Sequence, residues 1–566
     1  MIVVDYAGNS LVVEAGPRDT RLLKQIPGAR FIRSKDRWVM PATPGQFAIL
    51  HAMFGDVMDT TPESTPVLDG FIDFAAKQEK ARTASAPIKG REKLFPFQAA
   101  GTKFLGHGKT ILMADEMGTG KTVQSLTAVD IRNAYPLLIV CPNSMKHVWA
   151  REVERWTSAT AIVVGGSAAH RRKMIETAQT HVGYPVAVII NYEALRLHTK
   201  LASFGNRVLT VDEATAKELN EFEWGSVIAD EAHKVKEPKA KQTRALWGVS
   251  GGSDLRIALT GTPIMNNPDD LWAIMRFVKP DLWPERSRFR DRYCDVRPGW
   301  HGGLENEGLV PERIPELDRA LQPYFIRRTK AEVLPDLPPK TITDQYLDLS
   351  TKQRTAYNKM VKHMMADLET GLLMAADPLT LLGRLRYLAS AYAEIDDDGN
   401  VTALTTPSNK LDAVEDILEE GGVPLVVYAE SRKLIELLDT KLSDSYRTGL
   451  ITGKVAPAMR AANIELFQAG KLDLILATTG AGAEGVTLTA ADRLVMAQES
   501  WSNVANKQAH DRIHRIGQER NVEIITLISE GTIDEAVHQA TAEKEEQLQR
   551  LVRDPAWLAA AMRGEL

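Results

Sequence analysis

The sequence has few cysteines and no long apolar run. Cys141 and Cys294 are the two cysteines in 566 residues, which excludes a disulfide framework and fits a reducing compartment. The longest apolar runs, such as LLIVC at 137–141, are far shorter than the roughly 20 residues that span a bilayer. The N-terminus, MIVVDYAGNSLVVEAG, lacks the features of a signal peptide. We therefore expect a cytoplasmic protein that has no membrane partner.

Positive charge is not in excess either. The chain has 69 Lys+Arg against 74 Asp+Glu, a net charge of −5, so it is not coated in positive charge, although a basic groove on an acidic body remains compatible with this sum. Hydrophobic residues at 44% and charged residues at 25% exclude a wholly disordered or fibrous chain. At this length we expect two or three domains.

The N-terminal stretch, residues 1–58, contains short alternating strands and a local cluster of positive charge. Residues 19–40 carry six Lys or Arg against two Asp, a local +4, with Phe31 and Trp38 interleaved. Residues 59–90 are rich in Pro, Ser, Thr and charge, which is typical of a linker or a solvated helix. We expect a small α+β N-terminal domain followed by a linker.

From residue 91 onward, short apolar runs alternate with stretches of helical period, the pattern of βαβ units on a parallel sheet. The candidate strands form two groups separated by a mostly helical stretch at about 265–420. The early group is TILMA (110–114), LLIVC (137–141), AVII (187–190), SVIA (226–229) and RIALT (256–260). The late group is PLVVY (424–428), LILAT (474–478), RLVMA (493–497) and VEIITLI (522–528). The predicted fold class is α/β, with two parallel-sheet lobes and helical insertions between them.

The predicted domain boundaries follow from these groups. After the N-terminal domain and the linker, we expect a first lobe at 91–340 and a helical segment at 341–410. A second lobe at 411–540 and a C-terminal helix at 541–566 complete the chain.

A glycine-rich segment follows the first early strand. It reads Asp115-Glu116-Met117-Gly118-Thr119-Gly120-Lys121-Thr122. In a P-loop, backbone N–H groups at a helix N-terminus cradle phosphates, the Lys reaches the β- and γ-phosphates, and the Ser/Thr hydroxyl holds Mg²⁺. The strict pattern has Gly where Asp115 stands, and GTGKT considered alone is also compatible with a chance turn.

Two further motifs carry charges suited to phosphoryl chemistry. Asp230-Glu231-Ala232-His233 ends the strand SVIA, where an Asp can hold Mg²⁺ and the adjacent Glu can polarise the attacking water. Arg512 and Arg515 lie three residues apart in QAHDRIHRIGQ, hence on one face if the segment is helical, and two guanidinium groups presented together could act as arginine fingers. The alternatives are an acidic loop tip and a solvated helix with paired arginines.

Taken together, these motifs resemble those of superfamily-two helicases, and in detail those of the Swi/Snf branch of ATP-driven duplex-DNA translocases. The matching segments, spread over about 91–540, are LFPFQ (94–98), ADEMGTGKT, IADEAHKVKEPKAKQTRAL, LTGTP (259–263), PYFIRRTKAEVLPDLPPK (323–340), LSTKQRTAY (349–357), LLGRLRYLA (381–389), TTGAGAEGVTLTAAD (478–492) and QAHDRIHRIGQ. The resemblance implies two RecA-like lobes, ATP hydrolysis with Mg²⁺, and movement on double-stranded or branched DNA.

The resemblance also implies roles for individual residues. Catalysis falls to Lys121, Asp230, Glu231, Arg512 and Arg515, and the Mg²⁺ ligands are Thr122 and Asp230. The implied ATP contacts are Gln98, Asp115, Gly118, Thr119, Gly120, Lys121, Thr122 and Gln518. The implied DNA contacts are Ser144, Asn191, Tyr192, Thr478, Thr479 and Trp501. Because such contacts are mostly with phosphate, binding should be sequence-independent and sensitive to salt.

Several positions depart from the family pattern. Phe95 stands where Arg is common, Gly480 where a basic residue is usual, and Glu484 where Leu is common. Gln498 replaces an acidic residue ahead of Trp501, whose alternative role is packing. Three of these departures, Gly480, Glu484 and Gln498, lie in the second lobe, in or beside segments that the resemblance assigns to DNA contact.

The N-terminal stretch resembles the small HARP-type module that precedes the motor in annealing helicases of this branch. The likeness rests on IPGARF and RWVMP. It implies that Arg33 and Trp38 contact phosphates and unpaired bases. The alternative is a small fold in which the aromatics are core and the charges are solvated.

These observations predict a monomeric, DNA-stimulated ATPase that remodels forks, bubbles or protein–DNA complexes, with strand annealing or branch migration as finer versions. A strand-separating DNA or RNA helicase is one alternative. A catalytically inactive, nucleotide-gated DNA-binding scaffold is another, against which the intact motif residues speak. The compact form suggests a nucleoid-associated genome-maintenance enzyme of a bacterial or phage-infected cell.

Overall fold

The computed structural model describes residues 2–26, 28–181, 183–206, 208–261, 269–298, 304–369, 378–395, 401–482 and 486–543. The chain divides into two compact units, Met1–Val333 and Leu334–Leu566. Three predicted features fall at least partly outside the described residues. They are the end of LTGTP at Thr262 and Pro263, the motif position Glu484, and residues 544–566 of the predicted C-terminal helix.

The first unit begins with a small α+β fold. Its elements are β1 (Ile2–Ala7), β2 (Ser10–Glu14), α1 (Pro17–Leu23), β3 (Arg30–Ile32), β4 (Arg37–Pro41), α2 (Pro44–Phe54) and β5 (Met58–Thr60). The strands form one mixed sheet in the order β3-β4-β2-β1-β5. Alternate residues of β1 and β2, such as Val4 and Leu11, are buried against the helices, because successive side chains of a strand point to opposite faces.

Most of the stretch 59–90 is a helix, α3 (Thr65–Arg82). Its buried residues include Leu68 and Ala81. Near its end, Gln78 Nε2 donates to the carbonyl oxygen of Pro323 over 3.0 Å. Polar composition had predicted a linker or a solvated helix here, and the helix is packed on the unit because a few spaced apolar residues suffice to bury one face.

The remainder of the first unit is a parallel α/β domain. Its strands are β6 (Thr110–Met113), β7 (Leu137–Cys141), β8 (Thr160–Val163), β9 (Val186–Asn191), β10 (Ser226–Asp230), β11 (Leu255–Leu259) and β14 (Phe325–Ile326), in the order β14-β6-β11-β10-β7-β9-β8. The antiparallel pair β12 (Cys294–Pro298) and β13 (Leu304–Leu309) stands apart from this sheet. Every register in the main sheet is parallel. All five early apolar runs of the sequence are strands of it.

Helices connect these strands. They are α4 (Pro96–His107), α5 (Lys121–Ile131), α6 (Lys146–Trp156), α7 (Ala168–Gln179), α8 (Tyr192–Leu195), α9 (Val211–Ala214), α10 (Lys241–Val249), α11 (Asp269–Val278), α12 (Arg286–Tyr293), α13 (Ile314–Leu321) and α14 (Lys330–Val333). Residues of β6 and β7 are buried throughout, as expected for strands covered by helices on both faces.

The N-terminal fold shares a hydrophobic core with this domain. Buried residues of the N-terminal sheet and of α11 to α13 belong to one continuous cluster. Across this junction, Arg292 forms a buried ion pair with Glu316 and also donates to Gln25 Oε1 over 3.3 Å. A Cβ at Gly45 would lie 2.5 Å from Leu282 Cδ1, so the packing of α2 on the domain requires glycine at this position. The N-terminal fold is therefore an integral part of the first unit.

The second unit is built on another parallel sheet. Its strands are β15 (Lys340–Leu347), β18 (Leu425–Ala429), β19 (Thr448–Ile451), β20 (Leu474–Thr478), β21 (Arg493–Gln498) and β22 (Val522–Ser529), in the order β15-β22-β21-β18-β20-β19. The antiparallel pair β16 (Tyr392–Ile395) and β17 (Val401–Thr405) is separate. The helices are α15 (Thr351–Glu369), α16 (Pro378–Ser390), α17 (Asn409–Gly421), α18 (Arg432–Leu442), α19 (Pro457–Gln468), α20 (Thr479–Gly482), α21 (Asn503–His510) and α22 (Ile533–Glu543).

The predicted α/β fold class with two parallel-sheet lobes is confirmed. The segment 341–410 is mixed: it holds α15 and α16, and it also holds β15, which pairs in parallel with β22 as the edge of the second sheet. This strand has an exposed, polar sequence, which is why apolar runs did not reveal it. Over the described ranges, no helix combines the length and the apolar character needed to cross a bilayer.

Candidate nucleotide site and motor motifs

The loop between β6 and α5 has the geometry of a phosphate-binding loop. Gly118 and Gly120 adopt φ of 81° and 79°, a left-handed conformation that favours glycine. A Cβ at Gly120 would lie 2.4 Å from Gln98 Nε2. Thr119 is buried, and its hydroxyl donates to the Glu116 carbonyl over 2.8 Å. The loop thus delivers its backbone N–H groups to the N-terminus of a helix, where anions bind.

Two side chains at the start of α5 complete this loop. Lys121 and Thr122 are half-buried. The Lys121 ammonium donates to the carbonyl oxygens of Asp115 and Glu116 over 2.8 and 3.3 Å. These bonds hold the ammonium across the loop, at the place where a P-loop lysine meets phosphate oxygens.

Gln98 and Asp115, both predicted to contact ATP, are held by protein groups. Gln98 lies in the first turn of α4, and its Nε2 donates to the Thr119 carbonyl over 3.2 Å. Its Oε1 accepts from the Phe95 N–H over 3.1 Å. Asp115 is fully buried, and both of its carboxylate oxygens accept from Arg328. Both residues therefore brace the loop, and Asp115 has its carboxylate committed to an ion pair.

Asp230 ends β10 and Glu231 follows it. Trp149 Nε1 donates to Asp230 Oδ2 over 2.7 Å, and the Tyr192 hydroxyl donates to the Asp230 carbonyl over 2.6 Å. Burial, followed by the negative charge of Glu231, raises the pKa of Asp230 to about 7. The hydrogen bond from Trp149 and the positive charge of Lys121 oppose this rise. Strands β6 and β10 both pair in parallel with β11, so the phosphate loop and the acidic pair lie at the same edge of the sheet.

Glu231 has a strained backbone. Its φ of 49° is in the left-handed region, which is uncommon for a residue with a side chain and costs about 1–3 kcal/mol. His233 Nδ1 lies 3.3 Å from Glu231 Oε2 and 3.4 Å from Thr260 Oγ1. The imidazole therefore connects the acidic pair to Thr260, the residue after β11. Strand β11 lies between β6 and β10 in the sheet.

The oxygen donors at this edge fit a divalent cation. Thr122 and Asp230 offer a hydroxyl and a carboxylate, the hard oxygen ligands that Mg²⁺ prefers together with phosphate oxygens. A raised pKa at a carboxylate beside a second carboxylate is the electrostatic state that a bound cation relieves. Within the ranges that the structure describes, no cluster of three or more His, Cys, Asp or Glu forms a self-sufficient metal site, so protein ligands alone would not complete the coordination.

The DNA contacts predicted for the first unit differ in accessibility. Ser144 follows β7 and is half-buried. Asn191 ends the neighbouring strand β9, and its Nδ2 donates to Glu193 Oε2 over 2.6 Å. Tyr192 is 1% exposed, and its hydroxyl is committed to the backbone of the acidic motif. Tyr192 is therefore a core residue in this structure and does not lie at the surface, where a DNA contact was predicted.

The two DNA contacts predicted in the N-terminal fold, Arg33 and Trp38, also differ in exposure. Arg33 is exposed in the turn between β3 and β4. Trp38 is only 5% exposed, and its ring packs against Phe31 with centroids 5.3 Å apart. The exposed aromatic of this pair is Phe31, at 42%. Trp38 is therefore a core residue in this conformation, since β4 turns it inward while the neighbouring charges point outward.

In the second unit, the two arginines of the last motif converge, although they lie in the turns after α21 and not on a helix. Nη1 atoms of Arg512 and Arg515 both approach the Val486 carbonyl oxygen, at 3.5 and 3.3 Å. Arg512 is buried and also donates from Nε to the Gln508 carbonyl over 2.9 Å. Gln518 is buried too, and its Nε2 donates to the Ala491 carbonyl over 2.7 Å. The amide of Gln518 braces this loop internally.

The remaining predicted DNA contacts of the second unit lie at the ends of β20 and β21. Thr478 and Thr479 are buried, and in the described part of the chain the Thr479 hydroxyl has no hydrogen-bond partner. Trp501 is half-buried, with Arg386 Cζ 5.1 Å from its ring centre. Gln498 donates from Nε2 to Ser390 Oγ over 3.2 Å, so the amide at this departure from the family pattern ties β21 to α16.

Sequence reasoning missed the residues that hold the site from a distance. Trp149 is 81 positions from Asp230, and Arg328 is 213 positions from Asp115. Arg328 lies in a segment that resembles a family motif, and Trp149 lies five residues after Ser144, but no local pattern pairs either residue with an acid. Only the order of strands in the sheet brings them together.

Known proteins are similar to this chain along most of its length. Residues 25–391 match the family model of the SNF2-related domain, and residues 409–517 match the helicase conserved C-terminal domain. The ISWI chromatin-remodeling complex ATPase ISW1 of Saccharomyces cerevisiae is 27% identical over 488 residues, covering 82% of this chain and 41% of that protein. DNA excision repair protein ERCC-6-like of Danio rerio is 28% identical over 543 residues, covering 82% and 36%.

One similar solved structure is the Sulfolobus solfataricus SWI2/SNF2 ATPase core in complex with dsDNA. It has 25% sequence identity and a TM-score of 0.38, and the match covers 85% of this chain and 96% of that one. The chain spans less than half of the length of the two curated relatives.

The fold and the site define a P-loop protein with two parallel-sheet units. The match of the SNF2-related domain covers more than half of the chain. The chain therefore belongs to the SNF2-related family of helicase-like ATPases, and the predicted membership in the Swi/Snf branch is confirmed.

Proposed function

We propose that the protein hydrolyses ATP and uses the hydrolysis to move on double-stranded DNA. The observation that carries the proposal is the phosphate loop with Lys121 at the N-terminus of α5, beside Asp230 and Glu231 at the end of β10. Hydrolysis of a nucleoside triphosphate requires a loop that binds the phosphates and, beside it, acidic residues that hold Mg²⁺ and orient water.

The chain's own groups divide the work. On binding, the Lys121 ammonium exchanges the Asp115 and Glu116 carbonyls for β- and γ-phosphate oxygens, and the N–H groups at the start of α5 bind the same phosphates. Thr122 and Asp230 would hold Mg²⁺, which neutralises phosphate charge when bound. Phe95, exposed at 44% and stacked on Phe97, offers a flat surface to the base.

Glu231 orients the attacking water. Its strained backbone and its contact with His233 fix the direction of the carboxylate. Arg512 and Arg515 of the second unit would stabilise charge on the γ-phosphoryl group as the units close, exchanging the Val486 carbonyl for phosphate oxygens. Cycles of closing and opening, with each unit gripping DNA in turn, would give directional movement.

The choice of DNA rests on the relatives and on the surface of the first unit. The names of ISW1 and ERCC-6-like refer to chromatin remodeling and DNA excision repair. Ser144 follows β7 and Asn191 is the last residue of the adjacent strand β9, so they lie along one edge of the sheet, where backbone phosphates could bind. Remodelling of forks or bubbles, annealing and branch migration are finer forms of the same proposal.

The N-terminal fold supports a HARP-like role as a further part of the proposal. Its turn between β3 and β4 presents Arg33 and Lys35 to solvent, with the exposed ring of Phe31 on the adjoining strand. Cations beside an exposed aromatic suit a nucleic-acid strand with unstacked bases. Because this fold shares a core with the motor, it would guide DNA as a fixed part of the first unit.

A strand-separating helicase is the second candidate, and an inactive scaffold is the third. Hydrolysis is tested first by Lys121→Ala and Glu231→Gln. We expect each to lower the rate about 100-fold or more, with Glu231→Gln still binding ATP and Lys121→Ala binding it poorly. Normal turnover in either variant would refute the assignment. Unwinding of a forked substrate that is labelled on one strand would separate the helicase from the translocase.

A further inference from the structure

Arg328 donates hydrogen bonds to three separate parts of the nucleotide site. Its Nε donates to Asp115 Oδ1 over 3.1 Å, and its Nη1 donates to the Phe97 carbonyl over 2.7 Å. Its Nη2 donates to Asp115 Oδ2 and, over 2.9 Å, to Gln124 Oε1. One guanidinium therefore ties together the start of α4, the end of β6 and the first turns of α5.

These contacts reach the phosphate loop at two points. Gln124, which accepts from Arg328, donates from Nε2 to the carbonyls of Thr119 and Gly120 over 3.4 and 3.3 Å. On the other side, Asp115 carries the carbonyl to which Lys121 donates. The Arg328 guanidinium thus contacts two residues, Asp115 and Gln124, that each bond to the phosphate loop.

The same segment binds the loop through its backbone. The Glu116 N–H donates to the Arg328 carbonyl over 2.9 Å, and the Lys330 N–H donates to Glu116 Oε2 over 2.7 Å. Upstream, the Ala114 N–H donates to the Ile326 carbonyl over 2.7 Å. Residues 326–330 therefore run beside the whole first half of the loop, as a continuation of the pairing between β14 and β6.

The surroundings leave space for this arrangement only because α4 has glycine at position 101. A Cβ at Gly101 would lie 1.8 Å from Gln124 Oε1 and 2.7 Å from Arg328 Nη2. The ion pair is also dry, since the side chain of Asp115 is 0% exposed and that of Arg328 is 13% exposed. A two-pronged Arg–carboxylate contact of this kind fixes geometry as well as charge.

We propose that Arg328 is a positioning residue for the nucleotide. It fastens the phosphate loop to residues 326–333, the last segment of the first unit before the chain enters the second at Leu334. When phosphates bind, the Lys121 ammonium leaves the carbonyls of Asp115 and Glu116. The same two residues bind this segment, Asp115 through the Arg328 guanidinium and Glu116 through the Arg328 carbonyl and the Lys330 N–H. Nucleotide binding thereby changes the contacts of the segment that leads into the second unit. The proposal rests on the ATP site proposed above.

The test uses the full chain and four variants of the ion pair between Asp115 and Arg328, which we call the latch: Arg328→Gln, Arg328→Lys, Asp115→Asn and the Asp115→Asn/Arg328→Gln double variant. Arg327→Gln is the matched control, because Arg327 is the adjacent arginine and its side chain is exposed. Affinity for a fluorescent ATP analogue, kcat and KM for ATP, and the melting temperature are measured for each. Hydrogen exchange of the amides in 325–333 is followed with and without ATPγS.

We expect Arg328→Gln and Asp115→Asn each to weaken the binding of the analogue about tenfold, and the double variant to be no weaker than the worse single one, because residues in one ion pair are coupled. Arg328→Lys should recover only part of the loss, since an ammonium cannot make the two-pronged contact. ATPγS should slow exchange in 325–333 in the wild type and in Arg327→Gln, and this slowing should disappear in Arg328→Gln.

The proposal is overturned if the latch variants bind the analogue as the wild type does, if their effects simply add, or if ATPγS slows exchange in 325–333 equally with and without Arg328. A fall in melting temperature alone, with nucleotide binding intact, also overturns it, because that result describes a structural residue only. If Arg328→Gln does not fold, Arg328→Lys and Asp115→Asn give the same comparison. Failure of the wild type itself to bind the analogue would instead refute the ATP site.

Discussion

The indole N–H of Trp149 donates to Asp230 Oδ2 over 2.7 Å. A residue of α6, the helix after β7, therefore orients the carboxylate that stands at the end of β10. Trp149 is fully buried, and its helix, α6, lies against the same sheet. The direction of the Asp230 carboxylate is thus set by packing in the core.

Trp149→Phe should weaken the use of Mg²⁺ in the ATPase reaction. Phenylalanine keeps the aromatic packing and removes the N–H, and loss of an outer partner of a metal ligand costs about 10–100-fold in metal affinity or activity. The measurement is the Mg²⁺ concentration that gives half of the maximal rate. Trp156→Phe is the control, because Trp156 lies on the same helix and donates to Glu152. Equal Mg²⁺ dependence in the two variants would show that the indole bond has no role.

Lys410→Met should destabilise the second unit strongly. The Lys410 side chain is fully buried; its Nζ forms an ion pair with Asp534 Oδ2 at 2.8 Å and donates to the Leu527 carbonyl over 2.7 Å. Methionine fills similar space but leaves the Asp534 carboxylate buried without its cation, which costs about 3–5 kcal/mol.

Urea unfolding that is monitored within the second unit measures this loss. The control is Lys454→Met, which removes an exposed pair with Glu436 at 3.8 Å and should cost less than about 1 kcal/mol. If both variants lose the same stability, the buried pair is not what holds α17 to β22 and α22.

His538 should make the stability of the second unit depend on pH. Its Nδ1 lies 2.8 Å from Glu499 and its Nε2 3.4 Å from Asp344. The hydrogen bond to Glu499 raises the pKa of His538 above its ordinary 6.5. The stabilisation is therefore fully present below pH 6.5 and is lost as the pH rises through the raised pKa.

The measurement is the difference in free energy of unfolding between the wild type and His538→Gln across pH 5.5 to 9. We expect the wild type to gain most over the variant at the acidic end and progressively less toward the alkaline end. A difference that stays constant over the whole range would mean that the imidazole does not change charge between these carboxylates.

Arg33→Ala/Lys35→Ala should weaken DNA binding without destabilising the protein. Both side chains are exposed in the turn between β3 and β4, and each lost phosphate contact should reduce the slope of log affinity against log salt by about 1. Lys77→Ala/Lys80→Ala on α3 is the control with equal loss of exposed charge. Identical slopes for the two double variants would remove the N-terminal turn from the DNA path.

Point variants are preferable to deletion of residues 1–90. The N-terminal fold shares its core with α11 to α13, and α3 ends with Arg82 bound to the carbonyls of Gln322 and Phe325. Removing the segment would expose the core of the first unit, so a loss of activity would not report on DNA contact.

The sequence predicted the features that depend on local pattern. Buried strands such as Leu137–Cys141 are continuous apolar runs, and the loop at Gly118 to Thr122 has a distinctive composition, so both could be located. The nine predicted strands are all strands of the two parallel sheets. Strands with exposed, polar sequences, such as Lys340–Leu347, carried no such signal.

The sequence did not reveal which polar groups the fold brings together. Trp38, with basic neighbours, and Tyr192, from the family resemblance, were expected at a nucleic-acid surface, but both are buried. An aromatic ring near basic residues has the same sequence pattern whether it packs or stacks, and a motif match does not fix the direction of a side chain. Arg328 lies 213 positions from Asp115, and only the sheet order β14-β6 makes them neighbours. Local sequence thus located the chemical groups, and the long-range contacts that orient them required the fold.

The most direct test of a DNA-driven ATPase is the rate of ATP hydrolysis with no nucleic acid, single-stranded DNA, duplex DNA, forked DNA and RNA. Lys121→Ala, measured in parallel, reports any contaminating activity. We predict that duplex and forked DNA raise the rate above that measured without nucleic acid and above that measured with RNA, and that Lys121→Ala stays at background throughout. A rate that is unchanged by DNA, or highest with RNA, would contradict the account.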